Sequence, residues 1–402
     1  MTKKKINDLA IFGGDALFSE CKSTSNLLKP DIEKFLNYSK EFFIQRQYTN
    51  NGPNVQLLEK RLAKFHHTKY CLAFSSGFWA LVLAIKALCL EGKSEIIMPS
   101  LTYRRMSDMA AWVGLKPKFC EVDEESLAMT VKTVLPCINE RTALILGVHP
   151  IVNCCESQAL VELAQSKGIP ILFDSVESVY EHTSDGKVGG FGEAECFSLH
   201  ACKLFNGFGG GYLTTNSKAL TNKLSAMRTF GFVNRDSVEV KHGLNAKLNE
   251  MHACMALASL DDIDIQINAN KKRYHTYKEQ LALVRGLRLL KFDENYESGY
   301  KNIVVEVLQD WPFSRDETTQ ILNEDNILAR PHYYPPLHRK DMLFDFVPAH
   351  LPLTDELAQR FINLPCGQKV SNNDIKQIVC FLLFIQKYSK SIKARLNQGT
   401  EI

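Results

Sequence analysis

From about residue 70 to 215 the chain alternates short, almost unbroken apolar runs with longer segments whose apolar positions suit helices. The runs are Tyr70-Cys-Leu-Ala-Phe74, Glu95-Ile-Ile-Met-Pro-Ser100, Lys118-Phe-Cys-Glu-Val122, Ala143-Leu-Ile-Leu-Gly-Val148, Ile169-Pro-Ile-Leu-Phe-Asp174, Glu195-Cys-Phe-Ser198 and Gly211-Tyr-Leu-Thr-Thr215. Runs apolar at every position are strands covered on both faces, so the pattern predicts repeated βα units around a mostly parallel sheet. Helices are predicted between them, for example over 78–90 and 158–167. After Leu260 the pattern changes to a long polar helical stretch over 261–285, read as a connector, then short strands and an apolar helix over 373–388. The expected architecture is α/β. A large domain over 1–260 includes the N-terminal segment, and a smaller α+β domain occupies 261–402, with the residues after 388 read as a frayed tail.

Composition narrows this picture without choosing a function. The 402 residues are 45% hydrophobic and 23% charged, which suits a globular chain with a sizeable core. A net charge of +3 without long single-sign blocks points to neither a nucleic acid nor a membrane surface as partner. The twelve cysteines include no CxxC pair and no zinc-like spacing, and most sit in apolar runs, so they read as reduced thiols of a cytoplasmic protein. The basic opening residues are followed by polar ones where a signal peptide needs an apolar stretch, and no run approaches the ~18 apolar residues of a membrane span.

Several predicted strands end in residues able to do chemistry: Ser75, Ser100, His149, Asp174 and Ser198. Ligands of open α/β sheets lie beyond the carboxyl ends of the strands, so these side chains are expected to converge. The densest stretch is Cys196-Phe-Ser-Leu-His-Ala-Cys-Lys-Leu-Phe-Asn-Gly-Phe-Gly-Gly-Gly211, where a strand runs into a loop carrying Ser198, His200 and Lys203 before a glycine turn. A lysine enclosed there can lose its proton by desolvation and attack a carbonyl; an ordinary surface lysine is the alternative. Asp174 suits the carboxylate that pairs with a pyridinium nitrogen, or a simple helix cap. Phe74-Ser-Ser-Gly-Phe-Trp-Ala80, a strand end turning into a helix, suits a phosphate held by backbone N–H groups.

Placed together, these segments resemble the DegT/StrS-type sugar aminotransferases, pyridoxal phosphate (PLP) enzymes of the aspartate-aminotransferase fold. Phe197-Ser-Leu-His-Ala-Cys-Lys-Leu-Phe-Asn206 is similar to the family's S-F-H-A-T-K-x-x-N segment, and Gly243-Leu-Asn-Ala-Lys-Leu-Asn-Glu250 to its G-x-N-x-K/R-M-x-E segment. The resemblance implies that Lys203 binds the cofactor covalently and that Asp174 holds the ring nitrogen. It further implies that Tyr103 stacks on the ring and that Gly77, Phe78, Ser198 and Asn245 hold the phosphate. Asn245 would reach across to a second copy, giving a homodimer with shared sites. His149, Asn153, Arg330 and His332 are candidate substrate contacts, with a structural role open for His332 and for His338.

Departures from the family pattern are as informative. Glu177 stands where the family has histidine or glutamine beside the cofactor's phenolic oxygen, and a carboxylate there must be protonated or displaced. Phe78 replaces a threonine, Gly209 a glutamate, and Ile151-Val-Asn-Cys-Cys155 a Tyr-Gly-Asn-Pro-Cys. The resemblance implies a transaminase that moves an amino group from glutamate or glutamine to a keto sugar, most simply a nucleotide-linked 4-keto-6-deoxyhexose. Two alternatives stay open: another PLP reaction, such as dehydration or elimination, and a non-catalytic homologue that binds PLP or sugar.

Overall fold

The central sheet has seven strands: β1 (Tyr70–Phe74), β2 (Glu95–Pro99), β3 (Lys116–Cys120), β4 (Thr142–Val148), β5 (Ile171–Asp174), β6 (Ala194–Ser198) and β7 (Gly211–Thr215). Their order across the sheet is β1-β7-β6-β5-β4-β2-β3. β7 runs antiparallel to both neighbours, and every other pairing is parallel. This is a computed structural model, and it describes residues 3–25, 29–234 and 237–398.

Helices cover both faces, which is why the strands are apolar at consecutive positions. They are α1 (Ile32–Gln45), α2 (Pro53–Phe65), α3 (Gly77–Leu88), α4 (Ser157–Ser166) and α5 (Glu250–Asp261). On one face Val55, Leu58 and Leu62 of α2 and Leu257 of α5 pack with Phe197 and Tyr212. On the other, Leu81, Leu83 and Ile85 of α3 pack with Leu72, Leu172 and Leu213. Tyr212 and Leu213 are adjacent in β7 and serve opposite cores, as the two-residue period of a strand requires.

The smaller domain is built from α6 (Ile263–Leu281), β8 (Leu287–Leu289), β9 (Ile303–Val307), β10 (Arg330–Pro331), β11 (Phe361–Leu364), α7 (Asn372–Lys387) and α8 (Ser389–Gln398). Its antiparallel sheet has the order β8-β9-β11-β10. Three expectations are corrected here. The connector is not merely polar, because Tyr274 and Tyr277 of α6 are fully buried in the small-domain core. The stretch read as a frayed tail is the helix α8, anchored by the fully buried Ile392; residues 399–402 lie outside the described residues. The N-terminal segment is shared between the domains: α1 packs on α5, whereas Leu9, Leu17 and Phe18 join the small-domain core. The buried Asp325 carboxylate fixes that second part, accepting from Leu17 N at 2.9 Å and pairing with Lys3 at 2.6 Å.

Candidate active site

The carboxyl ends of β5 and β6 deliver Asp174 and Ser198 side by side, and the turn after β1 delivers the N-terminus of α3. Ser76 caps that helix, its hydroxyl accepting from Trp79 N at 3.2 Å. Gly77 and Gly211 meet across the turn: a Cβ on Gly211 would fall 2.3 Å from Gly77 N, so no larger residue fits there. A Cβ on Gly77 would already lie 3.2 Å from Phe197 O. The glycine run after the lysine loop is thus explained at Gly210, with φ +104°, and at Gly211, by close approach. The helix start keeps backbone N–H groups and a positive dipole end directed beyond the sheet.

Lys203 lies in the loop after β6, its amide donating to His200 O at 2.9 Å. Its ammonium bonds one oxygen of Glu177, and the other oxygen receives the ammonium of Lys301, from the segment entering β9. Burial is the largest single influence and would lower the Lys203 pKa, but the charge and hydrogen bond of Glu177 together with Cys202 and Asp174 outweigh it and hold the ammonium above its ordinary value. Burial alone would likewise raise Glu177, yet the charges of Lys203 and Lys301 hold it well below the usual carboxylate range. Two cations face the glutamate and favour its ionised form.

Asp174 behaves in the opposite way. Burial pushes its pKa up to about 6, against the Val176 N–H, 3.0 Å from its Oδ1, and the nearby Lys203 charge. A partner cation would restore its charge. The small domain brings two further groups, His332, a candidate substrate contact from the sequence, and its neighbour Tyr333. Tyr333 is raised well above its ordinary pKa by burial and by the surrounding Glu177, Asp174, Tyr103 and Cys202. His332 is buried and held down to about 4, hence neutral, with Glu177 as the charge facing it. Cys202, beside Lys203, sits 3.2 Å from His200 Nδ1.

Other expected residues are placed differently. His149 is turned inward: its side chain is sealed, stacked on Phe173 at 5.5 Å, accepting from Cys155 N at 3.0 Å and 3.8 Å from Glu195. The side chain is thus sealed in the core rather than open to a substrate, while its backbone amide donates to the Asp174 carbonyl at 3.1 Å. Asn153 opens onto a separate cleft of about 810 Å³, walled by Cys154, Glu181, His182, Phe292 and Tyr296 but not by Lys203 or Asp174. Ser100 is not available to the site, because its hydroxyl bonds His338 Nδ1 at 2.7 Å. His338 is accordingly structural, with Nε2 3.2 Å from Asp355. Arg330, Tyr103 and Asn245 are exposed, and Asn245 neighbours Ala246, whose carbonyl accepts from Ser75 N at 2.7 Å. The Lys301 partnership was missed because nothing local to residue 301 marks it.

The model of the DegT/DnrJ/EryC1/StrS aminotransferase family matches residues 30–382. The chain belongs to this family. It is 28% identical over 358 residues to dTDP-4-amino-4,6-dideoxy-D-glucose transaminase of Shigella dysenteriae, covering 87% of this chain and 95% of that protein. Identity is 27% over 336 residues to GDP-perosamine synthase of Vibrio cholerae, covering 82% and 90%. Among solved structures, DesI in the presence of its TDP-sugar product superposes with a TM-score of 0.91 at 27% identity, covering 98% of this chain and 100% of that one. The family match and these relatives make the chain an aminotransferase.

Proposed function

We propose that the protein uses pyridoxal 5′-phosphate to move an amino group from glutamate or glutamine to a nucleotide-linked keto sugar. The observation that carries this reading is the juxtaposition of Lys203, the buried Asp174, Ser198 and the start of α3 at one end of the sheet. Those groups suit the cofactor: an amine for its aldehyde, a carboxyl for its ring nitrogen, and a hydroxyl with helix N–H groups for its phosphate. When bound, PLP supplies an electrophilic aldehyde and a ring that absorbs the electrons released at the donor's Cα.

The protein's own residues do the rest. Lys203 would hold the cofactor through its ε-amine and, as a free amine, would move the proton on and off the donor Cα as base and acid. Asp174 becomes fully charged against a protonated ring nitrogen and keeps that proton in place. Tyr103 covers the ring, while Ser198, Gly77, Phe78 and Asn245 hold the phosphate, Asn245 from a second copy of the chain. Arg330 and His332 are the sugar contacts proposed from the small domain. The sugar nucleotide is supported by the named activities of the relatives, a transaminase for a dTDP-linked sugar and a synthase for a GDP-linked one.

Visible absorption tests the reading. Purified wild type incubated with PLP should show a lysine-linked cofactor band that collapses when L-glutamate or L-glutamine is added. Lys203→Ala should retain PLP without that band and lose transamination by at least about 10³-fold. Transamination by Lys203→Ala at the wild-type rate would remove the lysine from its role.

A further inference from the structure

Glu177 draws its two partners from different domains: Lys203 from the loop after β6, Lys301 from the segment entering β9. All three side chains are largely buried, at 16%, 15% and 10% exposure. Lys301 is also held in place by its neighbours. Ser298 Oγ and Gly299 N both donate to Glu181 at 3.0 Å, Asn302 Nδ2 donates to Ile151 O at 3.1 Å, and His182 N donates to Glu297 O at 2.9 Å. The segment is therefore pinned to the large domain on both sides of Lys301, and the lysine is a fixed cation rather than a flexible one.

The consequence concerns what happens when Lys203 gives its nitrogen to another bond. A buried carboxylate left with one cation fewer is costly, and Glu177 would then hold the remaining proton of the pair more tightly. Lys301 prevents this, because it bonds the oxygen that Lys203 does not use. We propose that Lys301 is a positioning residue that keeps Glu177 ionised and aimed at the Lys203 nitrogen, and so sets the pH at which that nitrogen gives up its proton. This rests on the cofactor role given to Lys203 above. The other groups facing the pair are Asp174 from the end of β5, Cys202 from the lysine loop, and His332 and Tyr333 from the segment after β10.

The signs are fixed by charge alone. Without the Lys301 cation, the Glu177–Lys203 nitrogen pair loses its proton less readily, and the transition moves up. Without the Glu177 anion it moves down. The test is a pH titration of the visible band of full-length protein loaded with PLP. Lys301→Gln should raise the midpoint and Glu177→Gln should lower it, each by about one pH unit, while Lys301→Arg should stay near wild type. A Lys301→Gln midpoint equal to or below that of wild type overturns the proposal, since a merely structural lysine would leave it unmoved. Melting of the cofactor-free protein is the second readout. Lys301→Gln should melt below wild type, and adding Glu177→Gln should recover part of the loss by removing the unpaired charge. If wild type shows no band with PLP, the cofactor reading falls. Melting then decides alone, and a double variant no more stable than Lys301→Gln overturns the pairing.

Discussion

Asp174 and Glu177 are carboxylates three residues apart with opposite titration, and the difference lies in their partners rather than their depth. Burial raises Asp174 to about 6, whereas Glu177 is held low by two ammonium groups. A raised carboxyl pKa means that the folded protein binds the proton more tightly than the unfolded chain. Its contribution to stability is therefore present below the ordinary carboxylate range and lost as pH rises through about 6. The loss amounts to about 3 kcal/mol between acid and neutral pH. Asp174→Asn should remove that slope, so in urea unfolding of the cofactor-free protein the variant should gain about 2 kcal/mol on wild type between pH 4.5 and 7.5. A wild type that gains on the variant over this range would contradict the burial argument. For Glu177 the sign is the reverse: its depressed pKa contributes stability above the ordinary carboxylate range and loses it as the solution turns acid. Residue identities such as Lys203 and Asp174 were legible in the sequence. Their protonation was not, because burial and the Glu177 charge set it, and Lys301, which holds Glu177 ionised, enters from another domain.

At the scale of elements, the sequence pattern located the strands within a few residues because a sheet covered on both faces leaves long apolar runs. It placed β3 late, reading 118–122 where the strand is Lys116–Cys120, since Lys116 and Lys118 interrupt the apolar signal at the sheet edge. It also missed α8, whose polar sequence buries Ile392 in the core and packs Leu396 partly against it. The glycines after the lysine loop had no local explanation until β7 and the start of α3 were seen to touch. Gly211→Ala tests that contact. Its new Cβ would lie 2.3 Å from Gly77 N and 2.5 Å from Gly77 Cα, both backbone atoms. The variant should lose about 1–3 kcal/mol of stability and, because the displaced helix start is the proposed phosphate site, bind PLP more weakly. Thermal melting and cofactor titration check the two effects together; unchanged PLP affinity would separate the helix start from the phosphate.

At the scale of the whole molecule, two domains meet over the site, and the groups the small domain adds are Lys301, His332 and Tyr333. Tyr103, Phe208 and Phe230 are large side chains 48%, 53% and 46% exposed. Asn245 is exposed too, two residues before Lys247, whose ammonium lies over Phe230. Under the shared-site reading, a second copy covers this surface and receives Asn245. Mixing inactive Lys203→Ala with inactive Asn245→Ala should then restore transamination above either variant alone, up to about a quarter of the wild-type sites in random dimers. No recovery in mixtures shown to exchange subunits would place Asn245 in its own chain's site. The sequence by itself determined the βα order, the covered sheet, the family and the candidate lysine and aspartate, because periodicity and short motifs are local properties. Tertiary structure decided the rest. It sealed His149, gave Ser100 to His338, opened Asn153 onto another cleft and set Lys301 against Glu177. Burial and charge pairing depend on which distant segments fold together, and no local pattern encodes that.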